Sequence, residues 1–199
     1  MADTLLPRGE TYADVYARFR WAVPALYNIA VDVCDRHAAD RSRVALVYED
    51  DAGRVSEHTF AEFRAHSNQL ARVLAGLGIA RGDRVGIVLP QRPETAVAHL
   101  AAYKLGAVAL PLSTLFGPDA LEYRLRDAGA RVVVTDAENL ERVLAVAKGL
   151  PDLARVISVD RADADGVVEY TRALDGISDS FDPVATAAED PAILIYTSG

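Results

Sequence analysis

The chain has 199 residues, of which 51% are hydrophobic and 25% are charged. This composition lets the chain bury enough apolar surface to offset the entropy lost on folding, which excludes a wholly disordered protein. The 29 acidic residues outnumber the 21 basic residues, and the formal net charge is −8. A strongly basic surface of the kind that non-specific nucleic-acid binding needs is therefore excluded. We expect small molecules and proteins as partners.

Cysteine usage and the distribution of apolar residues indicate where the protein works. Cys34 is the only cysteine in the sequence, which excludes an intramolecular disulfide and a cysteine-based zinc site. We interpret Cys34 as a small core residue and not as a reactive thiol. The first ten residues lack the apolar core of a signal peptide. The most apolar stretch, residues 96–112, is too interrupted to span a membrane. These features predict a cytoplasmic protein.

The first elements of the chain are signalled by local patterns. Residues 1–27 carry aromatic side chains without a regular period, and we interpret them as an N-terminal arm. Asn28 is suited to cap a helix that begins at Ile29 and whose apolar pattern continues through Val33 to His37. Residues 44–48 and 54–57 flank an acidic turn that contains glycine, which predicts an early β-hairpin.

The middle of the chain alternates between strand and helix patterns. Thr59 and Glu62 have the spacing of a capping box, and the helix that they begin should end near Gly76. The strands predicted after it are 84–89, 107–110, 131–135 and 155–159, and the helices are 94–105, 119–128 and 137–148. Apolar strands separated by helices of this length are typical of a parallel sheet with helices on both faces. The predicted fold class is therefore α/β: a layered, mostly parallel sheet with an early hairpin.

The last part of the sequence contains the strongest chemical signal. Residues 161–190 read as a surface connection with a short helix near 170–174, and residues 192–196 predict one more buried strand. Thr197, Ser198 and Gly199 follow this strand. Hydroxyl groups and unobstructed backbone N–H groups can surround a phosphate, and glycine permits close approach. By themselves these three residues also suit an ordinary strand exit.

Residues 189–199 resemble the opening of the Tyr-Thr-Ser-Gly-Thr-Thr-Gly-x-Pro-Lys motif of the adenylate-forming superfamily, which includes acyl-CoA synthetases, luciferases and peptide-synthetase adenylation domains. Residues 77–90 and 104–112 are similar to the segments that precede this motif in the superfamily. Residues 27–32 and 116–121 resemble most closely the branch of acetyl-CoA and medium-chain acyl-CoA synthetases.

The resemblance implies a two-step ligase. A carboxylate attacks the α-phosphate of ATP to give an acyl-adenylate and pyrophosphate, with help from Mg²⁺, and the thiol of coenzyme A then takes the acyl group. Thr197, Ser198 and Gly199 match the phosphate-contacting positions of the superfamily.

The resemblance covers roughly residues 28–199, which would form the first part of a large AMP-binding domain. The second half of the phosphate loop with its lysine, the acyl pocket and the C-terminal domain are not matched by any part of the sequence. Lys104 and Lys148 are the only lysines, and both fall at or near helix ends. We therefore expect an N-terminal fragment of a longer synthetase that is inactive alone.

A coenzyme A site is implied in the same way. In acetyl-CoA synthetase relatives, a turn that matches Phe116 and Gly117, and an arginine near the position of Arg142, lie close to the nucleotide end of coenzyme A. The match departs from the branch at residues 114–115, where two glycines are replaced by Thr and Leu. The alternative is that Arg142 is a solvated partner of Glu138 one helical turn away.

Two other functions stay open. The chain is either part of another adenylate-forming enzyme, such as an aryl-CoA ligase or an adenylation domain that loads a carrier protein, or a non-catalytic α/β module for binding or oligomerisation. In the fragment hypothesis, surface that normally packs against the rest of the domain is exposed, so we expect the chain to self-associate.

Overall fold

A five-stranded parallel sheet forms the centre of the chain in a computed structural model, which describes residues 6–160 and 162–197. The helices are α1 (Tyr12–Arg18), α2 (Ile29–Val33), α3 (Phe60–Gly76), α4 (Pro93–Lys104), α5 (Pro118–Ala128), α6 (Ala137–Ala147) and α7 (Tyr170–Leu174). The strands are β1 (Val44–Glu49), β2 (Val55–Thr59), β3 (Arg84–Val88), β4 (Val108–Pro111), β5 (Ala130–Thr135), β6 (Arg155–Ser158) and β7 (Val167–Glu169). The sheet order is β4-β3-β5-β6-β7, and β1 and β2 form a separate antiparallel hairpin. The predicted α/β class and the early hairpin are confirmed.

Helices cover both faces of the sheet because successive side chains of each strand point to opposite faces. Val85 and Ile87 of β3 pack in one core with α2, α3 and α4. Val88 packs in a second core with α5 and α6. Gly86 faces the second core, where an added Cβ would lie 3.0 Å from Leu125 and Val133. Both cores are therefore layers of buried apolar side chains, one on each side of the sheet.

Asn28 caps α2 as predicted and also makes contacts far along the chain. Its Oδ1 accepts a hydrogen bond from the Ala30 N–H at 3.1 Å. Its Nδ2 donates to the Tyr103 carbonyl at 2.8 Å and to the Val184 carbonyl at 3.0 Å. This side chain thus joins the start of α2, the end of α4 and the connection that follows α7.

The ends of α3 and α5 also follow the sequence signals. The Thr59 hydroxyl accepts from the Glu62 N–H at 3.2 Å, and the Thr59 N–H donates to the Glu62 carboxylate at 2.7 Å. These reciprocal bonds are the predicted capping box. Gly129 ends α5 in the left-handed region with φ of 60°, where an added Cβ would lie 2.6 Å from Arg84 Nη2.

The structure corrects the sequence predictions at four places. The arm contains α1, a helix without buried residues that the irregular aromatic pattern does not reveal. The helix after Asn28 ends at Val33 and is followed by a short 3-10 helix, Asp35–His37. The predicted surface connection contains β7, which pairs with β6.

The fourth correction concerns residues 192–196, for which a buried strand is wrong. Ile193 makes an isolated parallel bridge to Ala109, and the side chains of Ile193 and Ile195 are 44% and 59% exposed. The apolar composition of residues 192–196 predicts a strand with neighbouring strands on both sides. In the described part of the chain it pairs on one side only, with β4.

Candidate functional site

The turn after β4 brings together three residues that the sequence analysis singles out: Phe116, Gly117 and Arg142. Arg142 projects from α6, and its Nη1 donates to the Thr114 carbonyl at 2.8 Å and to the Phe116 carbonyl at 2.7 Å. Gly117 is the next residue and forms the N-cap of α5. Arg142 therefore fixes the backbone of this turn.

The alternative role of Arg142, as a partner of Glu138, is wrong. Its Nη2 donates to Asn139 Oδ1 at 2.8 Å. Asn139 is itself fixed because its N–H and its side-chain amide both donate to Asp136, the buried N-cap of α6. Sequence reasoning missed this support, although an Asp directly before a helix is a recognisable N-cap signal.

The outer side of the turn is open. Gly117 is exposed, and a Cβ added there would meet no described atom within 4 Å. Leu115 beside it is 90% exposed. The turn therefore presents the Leu115 side chain and the backbone of Gly117 to open space, and the missing side chain at Gly117 suits close approach of a ligand.

Residues 192–197 run beside β4 in parallel. The Ala109 N–H donates to the Ala192 carbonyl and the Leu194 N–H donates to the Ala109 carbonyl, each at 2.9 Å. Thr197 consequently lies toward the carboxyl end of β4, at the same end of the sheet as the turn, and it is exposed. Ser198 and Gly199 lie outside the described residues. The carboxyl ends of strands are where open α/β sheets commonly bind ligands.

Tyr196 connects this segment to α5. Its hydroxyl donates to Asp127 Oδ2 at 2.5 Å. Burial and that hydrogen bond raise the pKa of Tyr196 to about 12, so the phenol stays protonated at neutral pH. The guanidinium carbon of Arg124 lies 4.2 Å from the centre of the Phe116 ring and 5.6 Å from that of Tyr196. Sequence reasoning missed both partners on α5, because neither contact is local in the chain.

An open crevice of about 1020 Å³ borders the same region. Its lining comes from the hairpin, from α4 and from the carboxyl ends of β3 and β4, and includes Tyr48, Leu89, His99, Tyr103, Thr114 and Ile195. Thr114 belongs to the turn and Ile195 to the segment before Thr197. Apolar and hydrogen-bonding side chains thus meet beside the candidate residues.

The two lysines and the cysteine do not belong to the site formed by the turn and the segment before Thr197. Lys104 is fully buried; its Nζ donates to Asn68 Oδ1 at 2.6 Å and lies 2.9 Å from Asp35 Oδ1. Burial lowers the pKa of Lys104, and the neighbouring Asp35 carboxylate opposes that effect. Lys148 is exposed at the end of α6. Cys34 is buried in the core as predicted, and burial raises the pKa of its thiol to about 11.

Residues 6–160 and 162–197 contain neither a candidate membrane-spanning helix nor a candidate metal-binding cluster. No helix there has both the length and the apolar character needed to cross a membrane. No three His, Cys, Asp or Glu side chains in that part of the chain are grouped so that they could hold a metal ion.

Known proteins match both the sequence and the structure. The AMP-binding enzyme family matches residues 34–199. The protein of Bacillus subtilis (strain 168) named acetyl-coenzyme A synthetase is 37% identical over 204 residues, which cover 96% of this chain and 35% of the relative. The crystal structure of Brucella canis acyl-CoA synthetase superposes with a TM-score of 0.85 at 30% identity, covering 94% of this chain and 36% of that chain.

A third match is to the anthranilate CoA ligase AuaEII in complex with anthranoyl-AMP, with a TM-score of 0.82 and 29% identity. It covers 89% of this chain and 33% of that chain. The chain thus spans about a third of the length of the proteins that it matches.

Proposed function

Because the chain belongs to the AMP-binding enzyme family, we propose that it is the first part of an ATP-dependent, AMP-forming acyl-CoA synthetase. The observation that carries this proposal is the meeting of two segments at one end of the sheet: the turn at Phe116 and Gly117, and the segment that leads to Thr197. The activity belongs to the whole protein, of which this chain supplies about a third by comparison with its relatives.

The proposed reaction has two steps. A carboxylate oxygen attacks the α-phosphorus of ATP, and pyrophosphate leaves as the acyl-adenylate forms. The sulfur of coenzyme A then attacks the acyl carbon, and AMP leaves as the thioester forms. The protein's work in the first step is electrostatic stabilisation of the phosphates and in-line positioning of the carboxylate.

Thr197, Ser198 and Gly199 are proposed to contact the phosphates of ATP. Thr197 supports this role because it is exposed at the carboxyl end of β4, where its hydroxyl can donate to an anion. Mg²⁺ is proposed to arrive with the triphosphate, since protein-bound Mg²⁺ is commonly held largely by substrate phosphates.

Phe116, Gly117 and Arg142 are proposed to form part of the coenzyme A site. Gly117 and the exposed side of the turn leave room for the ligand. The Nη groups of Arg142 are engaged with Thr114, Phe116 and Asn139, so its part is to hold the turn in shape. The proposed location is the cytoplasm, where ATP and coenzyme A are available.

The second candidate is an aryl-CoA ligase. The likeness to an anthranilate CoA ligase at a TM-score of 0.82 supports it, because the same fold serves an aromatic acid in that protein. The two candidates differ in the acid that is activated and share the adenylation chemistry.

Carboxylate-dependent exchange of labelled pyrophosphate into ATP tests the proposal on the whole natural protein. We expect exchange with acetate, a medium-chain fatty acid or an aromatic acid, and thioester formation when coenzyme A is added. Exchange that needs an aromatic acid would favour the second candidate. Exchange without transfer to coenzyme A would indicate a different acceptor, such as a carrier protein. Absence of exchange with every acid would overturn the proposal.

The role of Thr197 has a separate test in the same assay. Thr197→Val removes a hydroxyl donor without changing side-chain size, and we expect kcat for exchange to fall by about tenfold or more. Thr197→Ser keeps the hydroxyl and should stay within about threefold of the wild type. Equal rates for the two variants would contradict the phosphate contact.

A further inference from the structure

Helix α5 lies between the two segments that the proposed function assigns to ligands. Arg124 near its middle approaches Phe116 of the turn at 4.2 Å and Tyr196 of the phosphate segment at 5.6 Å, measured from its guanidinium carbon to the ring centres. A guanidinium within about 6 Å of an aromatic ring centre is attracted to the ring face. One side chain therefore contacts both segments.

The orientation of Arg124 is set by its own helix. Its Nη1 donates to the Ala120 carbonyl at 2.9 Å, which holds the guanidinium against α5. Its Nε is buried and has no hydrogen-bond acceptor among the described residues. A buried donor without an acceptor is unfavourable, so this placement depends on packing against the two rings.

Each of the two aromatic residues also takes part in a hydrogen bond. Arg142 holds the Phe116 carbonyl at 2.7 Å, and Asp127 accepts from the Tyr196 hydroxyl at 2.5 Å. These bonds hold the Phe116 backbone and the Tyr196 hydroxyl in place near Arg124. The turn and the phosphate segment are about 80 residues apart in the sequence, and they are joined through α5 as well as through the pairing of residues 192–194 with β4.

We propose that Arg124 is a positioning residue that couples the turn at Phe116 to the segment at Tyr196 and Thr197. When coenzyme A binding changes the turn, Arg124 also shifts the segment that contacts the ATP phosphates. When ATP binding changes that segment, Arg124 likewise shifts the turn. Such coupling is reciprocal, because each ligand must change the affinity of the other by the same factor. The inference rests on the proposed function for the identity of the ligands.

The first test is kinetic and uses the whole natural protein. Arg124→Met keeps an unbranched side chain of similar length but removes the charge that faces the rings. We expect KM for ATP and KM for coenzyme A each to rise by about threefold to tenfold, the size of a lost contact between a cation and an aromatic ring. Arg124→Lys keeps the positive charge and should recover part of the loss.

Arg126→Met is the matched control, two residues away on the same helix. Arg126 is exposed, and its Nη2 donates to Glu122 and to the Gly149 carbonyl. It touches neither ring, so both KM values should stay at the wild-type level. Equal effects of Arg124→Met and Arg126→Met would overturn the proposal, since the loss would then reflect general damage to α5.

The second test measures coupling directly. Phe116→Leu should raise KM for ATP in the wild-type background, although Phe116 lies in the turn, and should have no further effect in the Arg124→Met background. Additive effects of the two substitutions would show that Arg124 does not transmit the change.

A third readout does not depend on activity. Hydrogen–deuterium exchange of the whole protein should show faster exchange at residues 195–197 in Phe116→Leu, and this acceleration should be absent when Arg124→Met is also present. If the wild type shows no pyrophosphate exchange, the proposed function fails, while this measurement still decides whether Arg124 couples the two segments. Unchanged exchange at 195–197 in Phe116→Leu would overturn the coupling.

Discussion

Lys104 is a charged side chain that the protein keeps completely out of water. Its ammonium lies 2.9 Å from Asp35 and donates to Asn68, so the charge is paired with a carboxylate and hydrogen-bonded to an amide. A paired buried charge adds little net stability, but removal of one partner leaves the other uncompensated. The pair therefore fixes how the end of α4 docks against the 3-10 helix and α3.

Lys104→Met should reduce the free energy of unfolding by about 3 kcal/mol, because Asp35 is left without its cation in a mostly buried site. Lys148→Met is the matched control, and its exposed position predicts a change within about 0.5 kcal/mol. Urea denaturation measures both. Similar losses in the two variants would contradict a buried ion pair, and Lys104→Met with Asp35→Asn should recover part of the loss.

Cys34 should be almost inert to thiol reagents in the folded protein. Burial raises the pKa of the thiol to about 11 from an ordinary 9.0, which reduces the thiolate fraction at pH 8 by about a hundredfold. Labelling with a chromogenic disulfide should therefore be slow until urea unfolds the chain, and then rapid. Fast labelling of the native protein would contradict the core position.

At the scale of elements, the features that sequence predicts well are those encoded within a few residues. The Asn28 cap, the Thr59–Glu62 capping box and the end of the predicted helix 119–128 are confirmed because each depends on neighbours along the chain. Capping and left-handed glycine ends are local by nature.

The failures at this scale concern contacts between distant residues. Strand β7 has three residues and exists because β6 lies beside it. Residues 192–196 have the composition of a buried strand, but their exposure depends on which elements of the fold pack against them. The candidate site also combines features that the sequence predicts with contacts that it does not. The resemblance singled out Phe116, Gly117 and Arg142. The hydrogen bonds from Arg142 to the turn join residues 26 to 28 positions apart, so only the structure reveals them.

The capping box of α3 gives a prediction with a defined dependence on pH. Hydrogen bonds from the Thr59 N–H and hydroxyl lower the pKa of Glu62 below its ordinary 4.5. A lowered carboxyl pKa stabilises the folded state above pH 4.5, and the contribution is lost as the pH falls through the folded-state value. Thr59→Ala should therefore cost about 1 kcal/mol at pH 7 and less at pH 3.

Denaturation at the two pH values checks this prediction. Thr171→Ala, at an exposed position of α7, is the control and should change stability by no more than about 0.5 kcal/mol at either pH. A cost of Thr59→Ala that is equal at both pH values would mean that the hydrogen bond from the Thr59 hydroxyl to Glu62 does not contribute.

At the scale of the whole molecule, apolar side chains are concentrated along the outer side of β4. Ile193, Leu194 and Ile195 are 44%, 37% and 59% exposed in succession. An exposed apolar segment beside a strand is a site for association with another chain. This surface adjoins the proposed phosphate segment. A protein segment that packs on residues 193–195 would therefore also border the site.

We expect the 199-residue chain to self-associate through this segment. Sedimentation velocity should show a monomer that gives way to larger species as concentration rises. Ile195→Asp should shift the balance toward the monomer, whereas Val55→Asp, on the exposed hairpin, should not. A chain that stays monomeric at high concentration would contradict the expectation.

The contact between Asn28 and Val184 has a consequence for the order in which the protein is made. These residues are 156 positions apart, and at a synthesis rate of 5–20 residues per second the second follows the first by roughly 8 to 30 s. Until residue 103 is made the Asn28 amide lacks both of its acceptors, and until residue 184 is made it still lacks the Val184 carbonyl. The closing of this end of the molecule therefore follows the synthesis of the hairpin and of α3, which both precede Val184 in the chain.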